Sequence, residues 1–516
     1  MAKDSENYSK SYLKSLVLDK NNPSLEAIMN GNIESINQSI ENMGYVVRVK
    51  SLNTYYTIWL SNKQYLIYCF PDDRINVIQE IDLKYDHDNL YIDNDAIKSN
   101  INCNTKINVS YLKVKDNNGN YYRELTGPND LENIRFKKSN WFHCESPKDL
   151  WKYFINNSIY DPRTHNKINK RFKCQQCAYE WWKYFGYLYT CTGKRIYDII
   201  QNEIALSIAR DMGTMGEWRH GFWSDEMEIH SRFFLDGINL LISQYEKDGC
   251  EIWLQRAHIG MNYMISNLTD VLQDRNVWFL HDSIEDKGKH KFYSTLFGKN
   301  KYNSLCLNTH IQALCVLHRL TKYDTDDGYY TRYYKSGYKA LHSVLNHKPA
   351  EYIYRVLVKL FVIHESQKNN DRIFCRFRRM IAARLIGRFY WKIKAKYPRI
   401  VLPGGFIERD INLSMLSDRY HIINVKDLLT LYMICRDHRL IPYIQDGVQF
   451  VETIIKKKSF NSLLRRSPYY IEYLDILQLY NDFIEPVPDD KLSEIENIMF
   501  ETIGATSLDY YVLRYN

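Results

Sequence analysis

Residues Leu402–Leu429 read LPGGFIERDINLSMLSDRYHIINVKDLL. A Pro-Gly-Gly turn opens a long polar loop that carries Glu408, Arg409, Arg419, Tyr420 and His421. The chain then enters an apolar, helix-periodic run, with Asn424 and Asp427 placed as caps. Three other segments are as dense in polar groups, and at least three of the four sit at the start of a helix. GEWRHGFWSDEMEIH (216–230) sets Asp225 and Glu228 as a capping box ahead of the stripe Met227, Phe234, Ile238, Leu241 and Tyr245, with His230 beside it. WFLHDSIED (278–286) gathers a His, carboxylates and a Trp. LNTHIQAL (307–314) offers Asn308 as an N-cap and puts His310 on the face of Leu314 and Leu317. Polar loops that all enter helices suit an α/α toroid, whose parallel inner helices open their N-termini at one end. Such an end collects free N–H groups and favours a bound carboxylate or phosphate.

Outward from these segments, helical periodicity continues from about residue 146 to the end, through Cys174–Tyr189, Tyr197–Arg210, Glu251–Leu268, Tyr329–Leu345 and Glu351–His364. No strands are expected between these helices. Before them, VVRVKSLNTYYTIWLS, QYLIYCF and INVSYLKVKD are β-branched and aromatic runs separated by Asn/Asp turns. The expected fold class is α+β and multidomain: a helical or irregular lead-in over 1–40, a small β-sandwich-like module over 41–145, and a large all-α (α/α) toroid over 146–516.

The first residues, MAKDSENYSKSYLKSL, show no apolar core of a secretory signal, and no run approaches a membrane-spanning length. Eleven scattered cysteines fit reduced thiols, so a cytoplasmic location is expected. Cys174-Gln-Gln-Cys177 has no matching second pair, and no phosphate loop, dinucleotide fingerprint or nucleophile elbow occurs. These readings predict neither a metal nor a cofactor. Abundant Tyr, Asn, Ile and Lys beside scarce Ala and Gly fit an AT-rich genome, and the 43 Tyr, 21 Phe and 10 Trp also suit packing on sugar rings. The net charge of +8 concentrates in Asp371–Arg399, where ten residues are Arg or Lys and one is acidic. Phe374, Phe377, Ile381 and Leu385 recur there at helical spacing. The segment therefore reads as a basic amphipathic helix, either burying that stripe or attracting an anionic polymer or membrane surface. Nucleic acid is not expected, since no recognition motif accompanies it.

Asp418-Arg419-Tyr420-His421-Ile422-Ile423-Asn424 resembles a segment of the D-glucuronyl C5-epimerases, in which an Asp-Tyr-His-containing stretch leads into an Asn- and Leu-containing helix. The resemblance spans about Phe172–Val451, and the order of β module and toroid is similar. The family's Gln-containing motif near its first inner helix is not matched, because Gly216-Glu217-Trp218-Arg219-His220-Gly221 stands there. The resemblance implies proton abstraction at C5 of a uronic acid in an acidic poly- or oligosaccharide. It implies Tyr420 and His421 as base and acid on one side of the ring, with Glu228, His230 or His310 on the other, and Arg219, Arg409 and Arg419 as carboxylate clamps. Trp218, His220, Trp223, Asp282, Glu285 and Asn308 complete the candidate substrate-contacting set.

Each of these residues also has a structural reading: His310 as a core histidine, Asp225 and Glu228 as caps, Trp218 and Trp223 as packing. A lyase would lose the C4 substituent from the same carbanion. A hydrolase would draw two carboxylates from Glu226, Glu228, Asp282, Glu285 and Glu408, spaced about 5–5.5 Å for retention or about 6.5–9.5 Å for inversion. A non-catalytic glycan-binding or assembly protein would need the aromatics and arginines but no acid–base pair. A homo-oligomer is compatible with all four.

Overall fold

In the computed structural model the described residues are 174–193, 211–220, 228–285, 304–324, 328–366, 373–411, 416–456 and 469–490, with short pieces between them and strands between residues 15 and 172. The chain forms two compact units, one of residues 1–212 with 239–257 and the other of 213–238 with 258–516.

The first unit begins with the antiparallel strands β1 (Ser15–Leu18), β2 (Gly44–Ser51), β3 (Thr54–Ser61), β4 (Gln64–Pro71), β5 (Gln79–Asp82) and β8 (Ile107–Val114), in the order β1-β8-β2-β3-β4-β5. A separate hairpin joins β6 (Lys84–Asp86) to β7 (Asn89–Tyr91). The register sets Tyr111, Val47, Ile58, Ile67 and Ile81 in one cross-strand row. Such β-branched and aromatic rows suit a pleated sheet. Ser15–Leu18, within the segment read as a lead-in, pairs with β8. Between residues 15 and 114 the described strands form one six-stranded sheet and one hairpin. A further hairpin pairs Arg163–His165 with Lys170–Phe172 in the stretch expected to be helical, and among the described residues one sheet stands where a sandwich is expected.

Helix follows in the first unit. α1 (Gln175–Thr192) ends at Gly193, whose φ of 66° is the left-handed conformation that favours glycine at a helix stop. Within this unit Tyr179 Oη lies 3.3 Å from Ser243 Oγ, and Trp182 Nε1 donates to Gln244 Oε1 at 2.7 Å.

Helices dominate the second unit. α2 (Ser231–Asp248) and α3 (Glu251–Asn267) each begin in one unit and end in the other. α4 (Leu307–Leu320) packs on α5 (Tyr329–Asn346), α6 (Glu351–Ser366) on α7 (Ile373–Lys396), and α8 (Asp418–Cys435) on both α9 (Ile441–Lys456) and α10 (Tyr469–Phe483). α4 also packs directly on α8. One apolar core runs through these helices, including Leu314, Leu341, Tyr354, Tyr390, Phe406, Leu428, Ile444 and Ile476.

Three expectations change here. Between α3 and α4 stands a strand pair, β9 (Thr269–Val271) with β10 (Val277–Phe279), closed by Asp274-Arg275-Asn276 with Arg275 at φ 62°. α8 starts at Asp418, ahead of the periodic apolar run, so Asn424 and Asp427 lie inside the helix and not at its cap. α4 starts at Leu307 with Cys306 as its N-cap, which puts Asn308 in the first turn.

Candidate functional site

The polar segments of the second unit are tied together by main-chain hydrogen bonds. Ser231 N, at the start of α2, donates to His281 O at 3.0 Å. Leu307 N, at the start of α4, donates to Arg409 O at 2.7 Å, and Ile411 N donates to Ser304 O at 3.2 Å. His230 and Asp282 form an antiparallel bridge. These bonds tie the start of α2 to the 281–282 loop and the start of α4 to the 409–411 segment ahead of α8. The same helices hold each other lower down, where Arg232 pairs with Asp427 at 2.7 Å and Gln312 donates to Asp236 at 2.6 Å. Burial opposes the charge of Arg232, but Asp427 outweighs it and holds the proton more tightly than in a free guanidinium.

At the centre lies a buried, mixed cluster. His281, half-buried, has Nδ1 3.0 Å from Thr309 Oγ1 and 3.5 Å from Cys306 Sγ. The Cys306 thiol donates to Asn308 Oδ1 at 3.0 Å, and burial pushes its pKa up to about 12, with Arg409 pulling the other way. Arg409 pairs with buried Asp410 at 2.5 Å. Its guanidinium also lies over the Tyr420 ring, 5.1 Å from the centroid, and donates to the phenolic oxygen at 3.4 Å. Glu285 accepts from His281 N at 2.8 Å and from the hydroxyl and main-chain N–H of Ser304. Burial, reinforced by Asp282, raises its carboxyl to about 8, against the accepted hydrogen bonds from Ser304 and His281 that pull the other way. Asp282 Oδ1 accepts from Ile284 N and Glu285 N at 2.8 and 3.1 Å, which orders the loop.

Two catalytic candidates are excluded by their hydrogen bonds. His310 Nδ1 accepts from Phe279 N at 3.2 Å, so Nε2 carries the proton and donates to Gly337 O at 2.9 Å. Trp278 stacks on its ring at 3.8 Å. His421 repeats the device: Nδ1 accepts from Ile407 N at 2.9 Å, Nε2 donates to Gly447 O at 3.0 Å, and Phe406 stacks at 5.0 Å. Each is the fourth residue of its helix, and each bonds a glycine of the following helix. Burial lowers His310 to about 3 and His421 to about 4. With both nitrogens committed to main chain, neither ring has a site left for a substrate proton. These two histidines are anchors.

The other expected residues separate. His220 is buried and its Nδ1 accepts from His230 N at 2.9 Å, with burial lowering its pKa to about 3. His230 is also buried, stacks on Phe233 at 4.1 Å and meets His281 edge-on at 4.8 Å. Glu228 is buried and its carbonyl accepts from His220 N at 3.0 Å, three residues ahead of α2, which starts at Ser231; Asp225, its expected capping partner, lies outside the described residues. Trp218 is nearly fully buried against Phe234 at 5.0 Å, so it packs the core and presents no open face to a sugar. Arg219 is exposed and sits 3.9 Å from Glu217. Glu408 points away from the cluster toward α7, where Tyr390 Oη donates to it and Lys394 Nζ stands at 3.7 Å. Burial raises it to about 7, although the Lys394 charge opposes that. Arg419 and Tyr420 are half-buried in the first turn of α8. Trp223, Asp225 and Glu226 lie outside the described residues.

Reading by segment missed His281, Thr309, Cys306, Asp410 and Arg232. His281 is the His of the 278–286 segment, to which no role was given, and Asp410 followed a chosen arginine. The signal in each case was adjacency to a polar loop. Among the described residues no group of three or more His, Cys, Asp or Glu is arranged to hold a metal ion.

No family model matches the chain, and no curated protein matches it. Among solved structures, a family 76 glycoside hydrolase from a bovine Bacteroides thetaiotaomicron strain aligns over 76% of this chain and 94% of that one, at 9% identity and a TM-score of 0.29, a likeness too slight to carry a conclusion about fold or chemistry.

Proposed function

We propose that the protein acts on an acidic carbohydrate at the convergent first turns of α2, α4 and α8, within a helical architecture of the α/α-toroid kind. One observation carries the reading. Arg409 and His281 stand on loops bonded to the starts of α4 and α2, Tyr420 stands in the first turn of α8 within hydrogen-bond reach of Arg409, and all three are incompletely buried. Helix N-termini and a guanidinium favour a carboxylate, and a phenol and an imidazole can transfer protons. On a uronic acid, Arg409 would neutralise the carboxylate while Tyr420 and His281 exchange the C5 proton. Arg419 is the second clamp, and His421 supports the loop from behind. Reprotonation from the opposite face gives epimerisation, and loss of the C4 substituent gives elimination.

A second reading, glycoside hydrolysis, has its own support. Glu285 and Asp282 are two buried carboxyl groups on one loop, and burial raises Glu285 to about 8, the direction a general acid needs. The two readings separate in deuterated water with uronic-acid oligosaccharides followed by NMR. Deuterium at C5 without cleavage supports proton abstraction, unsaturated ends support elimination, and new reducing ends alone support hydrolysis. Absence of all three, with binding retained, leaves a glycan-binding protein and ends the catalytic reading.

A further inference from the structure

The helix α7 buries an unexpected face. Its inward stripe is Cys375, Arg379, Ala382, Ile386, Tyr390, Ile393 and Lys394, spaced at three and four residues, and it includes the two side chains that hold Glu408. The apolar series read from the sequence as the buried stripe points the other way. Ile373 is 86% exposed, Phe374 68% and Phe377 53%, and Met380, Ile381, Leu385, Phe389 and Trp391 are exposed as well. A soluble helix rarely leaves so many large apolar groups in water on one element.

Basic residues are threaded through this surface. Arg376, Arg378, Arg384, Arg388, Lys392 and Lys396 are all exposed, and α7 holds no Asp or Glu. Three of them lean on neighbouring rings: Arg378 over Phe374 at 5.7 Å, Arg388 over Phe389 at 5.9 Å and Lys392 over Trp391 at 5.5 Å. Long cationic side chains lying along aromatic rings keep their charges at the level where a lipid headgroup would stand. No helix of the described residues is long and apolar enough to cross a membrane, so α7 suits a position in the interface and not across it.

We propose that the outward face of α7 docks this chain on the surface of an anionic lipid bilayer. Ile373, Phe374, Phe377, Met380, Ile381, Leu385 and Trp391 enter the headgroup–acyl boundary. Arg384, Arg388 and Lys392, on the same face, pair with lipid phosphates. The charge pattern selects this occupant over others. A second copy of the chain would bring these three cations against their own equivalents without any acidic partner on the helix. A nucleic acid would satisfy the cations and aromatics but leave Ile373, Met380, Ile381 and Leu385 in water. Only a surface that is anionic at its edge and apolar beneath meets both halves.

Flotation of the full chain with vesicles tests this directly. Vesicles of phosphatidylcholine with about 30% phosphatidylglycerol should carry the protein up the gradient, while phosphatidylcholine alone binds at least about tenfold less and about 0.5 M NaCl weakens the binding. R384Q/R388Q/K392Q and F374S/F377S/I381S/L385S should each lose the bound fraction with an unchanged circular dichroism spectrum. I381N serves for the apolar half if the fourfold variant does not fold. The Trp391 emission, taken as the difference between wild type and W391F, should shift to the blue on anionic vesicles. Failure of the wild type to bind anionic vesicles overturns the proposal, as does undiminished binding by both folded variants. A change of oligomeric state in the apolar variant, without vesicle binding by the wild type, assigns the face to a second copy instead.

Discussion

His310 and His421 each tie two backbone groups that have no water to turn to. Alanine at either position leaves one buried N–H and one buried C=O without its partner, at about 1–3 kcal/mol for each group. H310A and H421A should therefore lower the stability of the second unit by about 3 kcal/mol or more, read as a shift of the urea midpoint. Tyr420 is half-buried, and its oxygen accepts one long bond from Arg409. Y420F should leave the midpoint within about 0.5 kcal/mol of wild type while reducing turnover of a uronic-acid oligosaccharide by about a hundredfold. A Y420F protein that is destabilised like H421A would make Tyr420 a support as well. The adjacent pair Tyr420-His421 was legible as chemically capable. Its division into one available and one committed side chain depends on Ile407 and Gly447, which lie 14 and 26 residues away.

At the scale of helices, the two anchors need glycine opposite them. A Cβ on Gly337 would stand 2.8 Å from Leu314 Cδ2 and 3.3 Å from His310 Cε1, and one on Gly447 would stand 2.6 Å from Val425 Cγ2. Leu314 and Val425 each follow the anchoring histidine by four residues, so α4–α5 and α8–α9 are built on one pattern. G337A and G447A should each cost about 1–3 kcal/mol through forced separation of the helix pair, against the gain a helix normally draws from replacing glycine. A stabilised G337A or G447A would mean that the contact is not tight. Gly405 is stricter still, at φ 91° with its Cβ position 2.0 Å from Asp446 O. On the other side of the same loop, Y390F removes the hydroxyl that α7 donates to Glu408 and should destabilise by about 1.5–3 kcal/mol, detectable as a lower thermal midpoint. The repeat was invisible as letters because the shared features are His, Gly and an aromatic at unequal spacing; the stacked Trp278 precedes its histidine by 32 residues and Phe406 precedes its own by 15. Helix existence was legible from periodicity. The early starts of α4 and α8 were not; at α4 the tertiary bond from Leu307 N to Arg409 O holds the entry, a partner about a hundred residues away.

For the molecule as a whole, burial couples stability to pH in two opposed ways. His220, His310 and His421 sit near 3, 3 and 4 when folded but near 6.5 when unfolded, so acid below about pH 6.5 favours the unfolded chain and stability falls as pH drops toward 4. Glu285 and Glu408 sit near 8 and 7 when folded but near 4.5 when unfolded, so their contribution is present at low pH and is lost as pH rises toward 8. Above pH 6.5 the histidines have finished and only the carboxyls act. The urea midpoint should thus decline between pH 6.5 and 8.5, by at most about 1.4 kcal/mol per pH unit for each group, and E285Q should flatten the decline. An identical slope in E285Q would mean that Glu285 does not hold a proton in the fold. The sequence alone determined that most of these helices and the β-branched strands of the first unit would form and which loops would be polar, because periodicity and turn chemistry are local properties of neighbouring residues; the β9–β10 pair and the starts of α4 and α8 were not among what it determined. It also located the basic, aromatic stretch of α7. Which face of that helix is buried, which histidines are spent on backbone, and which carboxyls keep their protons were decided only by tertiary structure. Each depends on hydrogen-bond partners and desolvation supplied by segments distant in the chain.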